Sequence, residues 1–240
     1  VAEALQLLAR PGIRPVVVAG GTSIVPRFSD TVEEVIDLQA VVGLADITET
    51  PQGLSLGVMT TLQGVVANEW IPHSLREAAH REGPNTFRNA GTVGGAILSP
   101  SQESEFVATL LVFEAAVSVQ TSTGGKTIAL AELLKDIPAA LDGGLLTTVI
   151  IAAAGPAASA RVARTPADQP IVAAIARRGA DGSVKLALCG VAATPVLVDA
   201  AADVKAAINP PADFRGSTEY RRQMAATLAK RVITELEKRN

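Results

Sequence analysis

Asn89-Ala90-Gly91-Thr92-Val93-Gly94-Gly95-Ala96 and, well upstream of it, Val18-Ala19-Gly20-Gly21-Thr22-Ser23 are the stretches on which the reading of this chain turns. Each adjoins an apolar, strand-like run. A double glycine beside hydroxyl residues lets the backbone approach a ligand closely and turn its N–H groups toward an anion. One such loop describes many ordinary turns. Two of them suggest a single pyrophosphate gripped from both sides, and so a bound dinucleotide. Neither loop is the Rossmann G-x-G-x-x-G fingerprint, and no Gly-Lys-Ser/Thr follows the first, so this is not a Walker loop either.

The flanking sequence gives both loops a structural setting. Val1, Ala4, Leu5 and Leu8 share one helical face, and Pro11-Gly12 stops that helix. Pro15-Val16-Val17-Val18-Ala19 is a buried strand running into the first loop, and Val35-Ile36-Asp37-Leu38 is a second strand. Residues 54–58 alternate with period two, residues 61–67 and 74–81 are helical with hydroxyl residues near their starts, and residues 105–113 form a buried helix. A strand at 115–120, a turn at 123–126 and a short helix at 131–134 follow. Beyond Pro156 the texture changes. Residues 171–177, 184–190 and 195–199 are three strands of an antiparallel meander, with helices at 199–208 and 217–237. The expected fold class is α+β. Its N-terminal half, residues 1–155, divides into small α/β units at about 1–50 and 51–155, and a C-terminal domain covers residues 160–240.

Composition removes several function classes. The 240 residues are 48% hydrophobic but only 3% aromatic, so the core is built mainly from Ala, Val, Leu and Ile. The formal net charge is −3 with no basic stripe, which argues against nucleic acid as a partner. The arginines and lysines after Tyr220 are interspersed with acids, as on a solvated helix face. Cys189 is the only cysteine, which rules out an internal disulfide and any cysteine-held iron–sulfur or zinc site. It reads as core. His73 and His80 are the only histidines and lack a third ligand, so no metal is expected. Neither histidine adjoins a nucleophile motif, and no catalytic side chain is assigned. No apolar run reaches the roughly 18 residues of a membrane span. The chain opens at Val1 inside a helical pattern, so residues are expected upstream; a cytoplasmic location is the expectation.

The second loop also carries a resemblance. Arg88-Asn89-Ala90-Gly91-Thr92-Val93-Gly94-Gly95, following Ala19-Gly20-Gly21-Thr22, resembles the FAD-binding subunit of the xanthine dehydrogenase and carbon monoxide dehydrogenase family of molybdenum hydroxylases. Leu56-Gly57-Val58-Met59-Thr60-Thr61, Arg164-Thr165-Pro166, Ala187-Leu188-Cys189-Gly190-Val191-Ala192 and Phe214-Arg215-Gly216-Ser217 are similar to segments elsewhere in that subunit. The resemblance implies a two-subdomain FAD-binding domain followed by a C-terminal three-stranded antiparallel sheet with helices. It implies FAD as cofactor, held by Ala19, Gly20, Gly21, Thr22 and Ser23 on one side and by Thr92, Gly94 and Gly95 on the other. Glu105 falls where the family places an acidic residue near the adenosine ribose; capping the helix that follows is the alternative for it. The implied partners in a hetero-oligomer are a 2Fe–2S small subunit and a molybdopterin large subunit. The implied function is electron transfer from partner iron–sulfur clusters to NAD or another acceptor.

Three positions depart from the family pattern: Ala96 where Asn is frequent, Thr86 where Gln is common, and an Asp142–Thr147 stretch without the usual Glu. Two other readings therefore stay open, a scaffold subunit that has lost FAD and a stand-alone NAD(P)H-dependent flavin reductase. Arg88 and Asn89 are read as loop-fixing residues, and Trp70 as a packing residue at a helix end.

Overall fold

The computed structural model describes residues 1–13, 15–27, 32–152 and 155–238. Helix α1 (Ala2–Leu8) leads to strand β1 (Val16–Val18), which pairs in parallel with β2 (Val35–Asp37), Val17 opposite Ile36. Ala4 and Leu5 on one face of α1 pack with Ile36, Leu38 and Leu145 in a small core beneath this pair.

The second sheet is wholly antiparallel. Its strands are β3 (Ile47–Thr50), β4 (Gly53–Gly57), β5 (Ala116–Thr121), β6 (Gly124–Ala129) and β7 (Leu145–Ile151), in the order β3-β4-β7-β5-β6. The helices α2 (Leu62–Ala67), α3 (His73–Arg81), α4 (Asn85–Ala90), α5 (Val93–Leu98) and α6 (Glu105–Val112) lie between β4 and β5 in the chain, and α7 (Leu130–Leu133) and α8 (Ile137–Leu141) between β6 and β7. The Thr61 hydroxyl caps α2 by accepting from Gly64 N at 3.0 Å, and Ser104 caps α6 by accepting from Val107 N at 3.0 Å. Helix α3 starts one residue earlier than expected, after Pro72 and without a capping side chain, so Ser74 lies inside it.

Every residue of α6 is buried, including Glu105 and Thr109. Its burial on all sides follows from its position: it packs against α3 on one flank and against the C-terminal sheet on another. That sheet has four strands, β8 (Ala157–Val162), β9 (Val172–Arg178), β10 (Val184–Cys189) and β11 (Val196–Asp199), in the order β11-β10-β9-β8. The three-stranded expectation missed β8 because Ala157-Ala158-Ser159-Ala160-Arg161-Val162 has only one strongly β-forming residue; its pairing along β9 holds it in the sheet.

The C-terminal sheet is covered on both faces, and alternation along its strands shows how. Ala173 and Ile175 of β9, with Ala187 and Cys189 of β10, belong to the large N-terminal core. Val172, Ala174 and Ala176, with Leu186 and Leu188, belong to a second core beneath the long helix α10 (Thr218–Lys238). Alanine on β9 lets a helix pack closely on either side, which explains a strand with six consecutive buried residues. The helix expected over 199–208 is confined to α9 (Val204–Ala207), while Ser217 caps α10 as expected, accepting from Tyr220 N at 3.2 Å.

Candidate functional site

The two glycine loops touch. Gly20 packs so tightly on the second loop that an added Cβ would sit 1.6 Å from the Ala90 carbonyl oxygen, so no other residue fits without moving a backbone. Gly21 has φ +72°, the left-handed region that side chains avoid. The double glycine thus answers two demands at once, close approach at the first position and a reversed backbone at the second. Arg88 is buried and braces the other side, donating to the Gln63 side chain at 3.0 Å and to the carbonyls of His80 and Gly83 at 3.2 and 2.6 Å. That is the loop-fixing role expected of it. Asn89 is exposed, and its side chain donates to the Asn85 side chain at 3.3 Å.

Three adjoining chambers open around this contact. The most apolar of them, about 240 Å³, is lined by residues 19–23 of the first loop, by Thr92, Gly94 and Gly95, and by apolar walls that include Val17, Ile24 and Leu38. A chamber of about 400 Å³ lies on the far side of Gly20 and Ala90, against Gln39 and Met59. The third, about 100 Å³, runs from Thr22 and Ser23 past Thr92 and Gly95 to Glu82 and Gln169. Thr92 borders all three. The structure therefore brings together Ala19, Gly20, Gly21, Thr22, Ser23, Thr92, Gly94 and Gly95, eight of the nine residues singled out in the sequence.

Within this set the two loops differ in what they can donate. The main-chain N–H groups of Gly20, Gly21, Thr22 and Ser23 have no acceptor among the described residues. In the second loop the N–H groups are already in use: Val93 N donates to Thr60 O at 2.9 Å, Gly94 N to Val58 O at 2.8 Å, Gly95 N to the Thr92 hydroxyl at 3.0 Å and Ala96 N to Thr92 O at 3.0 Å. The loop opens helix α5: its first-turn N–H groups, which have no acceptor inside the helix, are taken up by the 58–60 segment and by the Thr92 cap. Residues 93–98 form α5, capped by Thr92, and Gly94 is pressed against Val58, where a Cβ would come within 2.9 Å of the Val58 side chain. The second loop thus contributes a close wall and the free proton of the Thr92 hydroxyl, and the first contributes the row of N–H donors.

Glu105 is not part of this set. It lies at the start of α6, 2% exposed, paired with Arg81 at 3.2 Å and Arg161 at 3.1 Å, and lines none of the three chambers. Burial raises its carboxyl pKa, and the two arginines oppose that rise. The capping alternative fails too, since Ser104 is the N-cap. The carboxylate that does reach a chamber is Glu82, which the sequence reading passed over. It is the C-cap of α3, its Oε1 accepting from Ser104 Oγ at 2.9 Å and Phe106 N at 3.1 Å. Burial pushes its pKa to about 7, the neighbouring Glu105 charge adding to the rise, even though the chamber leaves the residue partly exposed. One sequence signal did exist: an acid at a helix C-terminus opposes the macrodipole.

Trp70, expected to pack, is 66% exposed, whereas Cys189 is core, its thiol pKa pushed well up by burial. Among the described residues no three His, Cys, Asp or Glu side chains are grouped as metal ligands, and no helix is long and apolar enough to cross a membrane.

The donor set fits a diphosphate-containing dinucleotide. Unpaired N–H groups arranged around a left-handed glycine suit the delocalised charge of a pyrophosphate, hydroxyls from Thr22, Ser23 and Thr92 supplement them, and apolar walls continue on either side for flat ring systems. The class so defined is a dinucleotide-binding protein with a bipartite glycine site and a sheet-and-helix C-terminal half. Comparison with known proteins makes this specific. Residues 1–153 match the FAD binding domain in molybdopterin dehydrogenase, and residues 180–236 match the CO dehydrogenase flavoprotein C-terminal domain. The chain belongs to this family of FAD binding domains; its cofactor is FAD, and it is an oxidoreductase subunit of that class. It is 26% identical to the 6-hydroxypseudooxynicotine dehydrogenase complex subunit alpha of Paenarthrobacter nicotinovorans, over 98% of this chain and 91% of that one. It is likewise 26% identical to the carbon monoxide dehydrogenase medium chain of Afipia carboxidovorans, over 97% and 92%. The fold superposes on a chain of the carbon monoxide dehydrogenase structure from Hydrogenophaga pseudoflava with a TM-score of 0.85, at 22% identity, covering 100% of this chain and 95% of that chain.

Proposed function

We propose that this chain is the FAD-carrying electron-transfer subunit of a cytoplasmic molybdenum-hydroxylase-type complex. In that role it takes electrons from the iron–sulfur clusters of a 2Fe–2S small subunit and delivers them to NAD or another acceptor, while substrate is oxidised on a molybdopterin large subunit. FAD, when bound, supplies a carrier able to exchange electrons singly or in pairs. The chain's own part is to bind and orient it. Gly20, Gly21, Thr22 and Ser23 hold the pyrophosphate through main-chain N–H groups, Thr92 adds its hydroxyl, and Gly94 and Gly95 keep the opposite wall close. In this proposal the FAD-binding part ends near residue 155 and the C-terminal part starts near 160.

The observation that carries the reading is the row of four main-chain donors that have no acceptor among the described residues at the contact between the loops. It speaks against the scaffold reading, because a chain that had lost its anion would be expected to retain no such open cradle. Of the departures that prompted that reading, Thr86 lines none of the chambers, and Ala96 lines only the smallest. The test is to purify the chain, add FAD, desalt and record the visible spectrum. Retained flavin at one per chain is the expected result, and a colourless protein after reconstitution overturns it. Reduction of the bound flavin by NADH alone, at a rate unaffected by partner subunits, would favour the stand-alone reductase.

A further inference from the structure

Glu82 is a carboxylate in an unexpected place. It shares the smallest chamber with Thr22, Ser23, Thr92 and Gly95, the groups that face the dinucleotide anion under the proposed function. One oxygen, Oε1, is fixed by Ser104 and Phe106; the other, Oε2, has no hydrogen-bond partner among the described residues. Among the described residues no cation pairs with it. Arg81, its neighbour on α3, is committed to Glu77 and Glu105, and Arg161 on β8 is also paired with Glu105. Arg88 on α4 spends its guanidinium on Gln63 and on the carbonyls of His80 and Gly83. Of the remaining groups around it, Glu105 on α6 is a like charge, Cys189 on β10 is a buried thiol, and α2 brings no charged residue. An ionised carboxylate at the negative end of α3, with no counter-ion among the described residues and facing an anion site, would oppose binding.

Resting on the FAD reading above, we propose that Glu82 binds the dinucleotide in its protonated form, Oε2–H acting as a hydrogen-bond donor beside the Thr22, Ser23 and Thr92 hydroxyls, so that FAD binding takes up one proton. The proton comes from solvent and is returned to it when FAD leaves. A pKa of about 7 before binding places this exchange in the neutral range, and the incoming phosphate charge moves it further up. Affinity is then flat below about pH 7 and weakens above it, toward tenfold per pH unit. FAD retention becomes a function of pH although neither the phosphodiester groups nor the main-chain donors titrate there.

The experiment is a titration of the apo chain with FAD from pH 6 to 8.5, followed by flavin fluorescence, with calorimetry at pH 8 in two buffers of different ionisation enthalpy to count protons. The wild-type chain is expected to take up close to one proton per FAD and to lose affinity above about pH 7. Glu82→Gln keeps an acceptor for Ser104 and Phe106, cannot ionise, and is expected to give a flat profile, matching wild type at pH 6 and binding roughly tenfold or more tightly than it at pH 8.5. A wild-type profile that is flat with no proton uptake overturns the proposal, as does a Glu82→Gln profile that keeps the slope. The proton count needs no variant. Absence of FAD binding by the wild type at every pH overturns the FAD reading itself and this inference with it, a result unlike tight but pH-independent binding.

Discussion

The Cα of Gly20 and the carbonyl oxygen of Ala90 lie so close that a methyl group on the first would have to occupy the second; the built Cβ falls 1.6 Å from that oxygen. This contact joins the two halves of the candidate site, and it turns two separate sequence motifs into one structure. Gly20→Ala is therefore expected to separate the loops and to abolish FAD retention after desalting. Gly21→Ala provides the comparison. Its φ of +72° makes a side chain cost about 1–2 kcal/mol, and a Cβ would press on the Val25 side chain at 3.0 Å with Val18 at 3.8 Å and no backbone atom closer, so weakened binding is expected. Equal FAD retention by Gly20→Ala and wild type would show that the loops need not meet.

Thr92 has two uses for one oxygen. It accepts from Gly95 N as the cap of α5, and its proton remains free to donate into the chambers. Thr92→Ser keeps both uses and is expected to bind FAD nearly as wild type. Thr92→Ala loses both, at about 1 kcal/mol of stability for the cap and about tenfold or more in FAD affinity for the hydroxyl. Thermal melts with and without FAD separate the two effects, since only the second changes the shift that FAD produces.

Glu105 is expected to be a stability residue and not a ligand. Removing it leaves Arg81 without one of its partners and Arg161 without its ion pair, in a region where breaking a buried pair costs about 3–5 kcal/mol. Glu105→Ala should lower the melting temperature markedly yet still bind one FAD per chain at low temperature. A well-folded Glu105→Ala chain that binds no FAD would restore it to the site.

The elements legible in the sequence were those whose own pattern decides them. Val16-Val17-Val18 before Gly20-Gly21 could hardly be anything but a strand meeting a turn, and the buried face of α6 shows in Phe106, Leu110 and Phe113. What escaped depended on neighbours. Strand β8 exists because β9 offers it an edge, and β3, Ile47-Thr48-Glu49-Thr50, is a polar edge strand held by β4. The site was legible by residue and less so by role. Nothing in Gly94-Gly95 announces that their N–H groups are already taken, Gly94 by the Val58 carbonyl and Gly95 by the Thr92 cap. The position of Glu105 suggested a ribose contact, but only the fold reveals that Arg81 and Arg161 converge on it and that Glu82, from a different helix, reaches the chamber instead.

Arg221 gives the sharpest test of how the C-terminal half is held. It stands where the amphipathic pattern of α10 suggested a solvated arginine, yet its side chain is fully buried, donating to Ile171 O at 2.8 Å, Gly190 O at 2.7 Å and Asp213 Oδ2 at 2.7 Å. It thereby ties the helix to the ends of two strands and to the 209–217 loop, which Arg215 links onward to Glu103 just ahead of α6. The Arg221 hydrogen bond holds the Asp213 carboxyl well below the usual carboxylate range. A depressed pKa in the folded state means that this contribution is complete above the unfolded value near 4, starts to fall below it, and is lost only as pH drops through the much lower folded value. Arg221→Met leaves two buried carbonyls without their donor and leaves the Asp213 carboxylate with Arg215 as its one arginine partner among the described residues, so a loss of about 3–5 kcal/mol is expected at pH 7. The part owed to Asp213 should disappear under acid. Urea midpoints of wild type and Arg221→Met are therefore expected to lie far apart at pH 7 and to converge partly by pH 3. A gap that is the same at both pH values would mean that Arg221 acts through the two carbonyls alone.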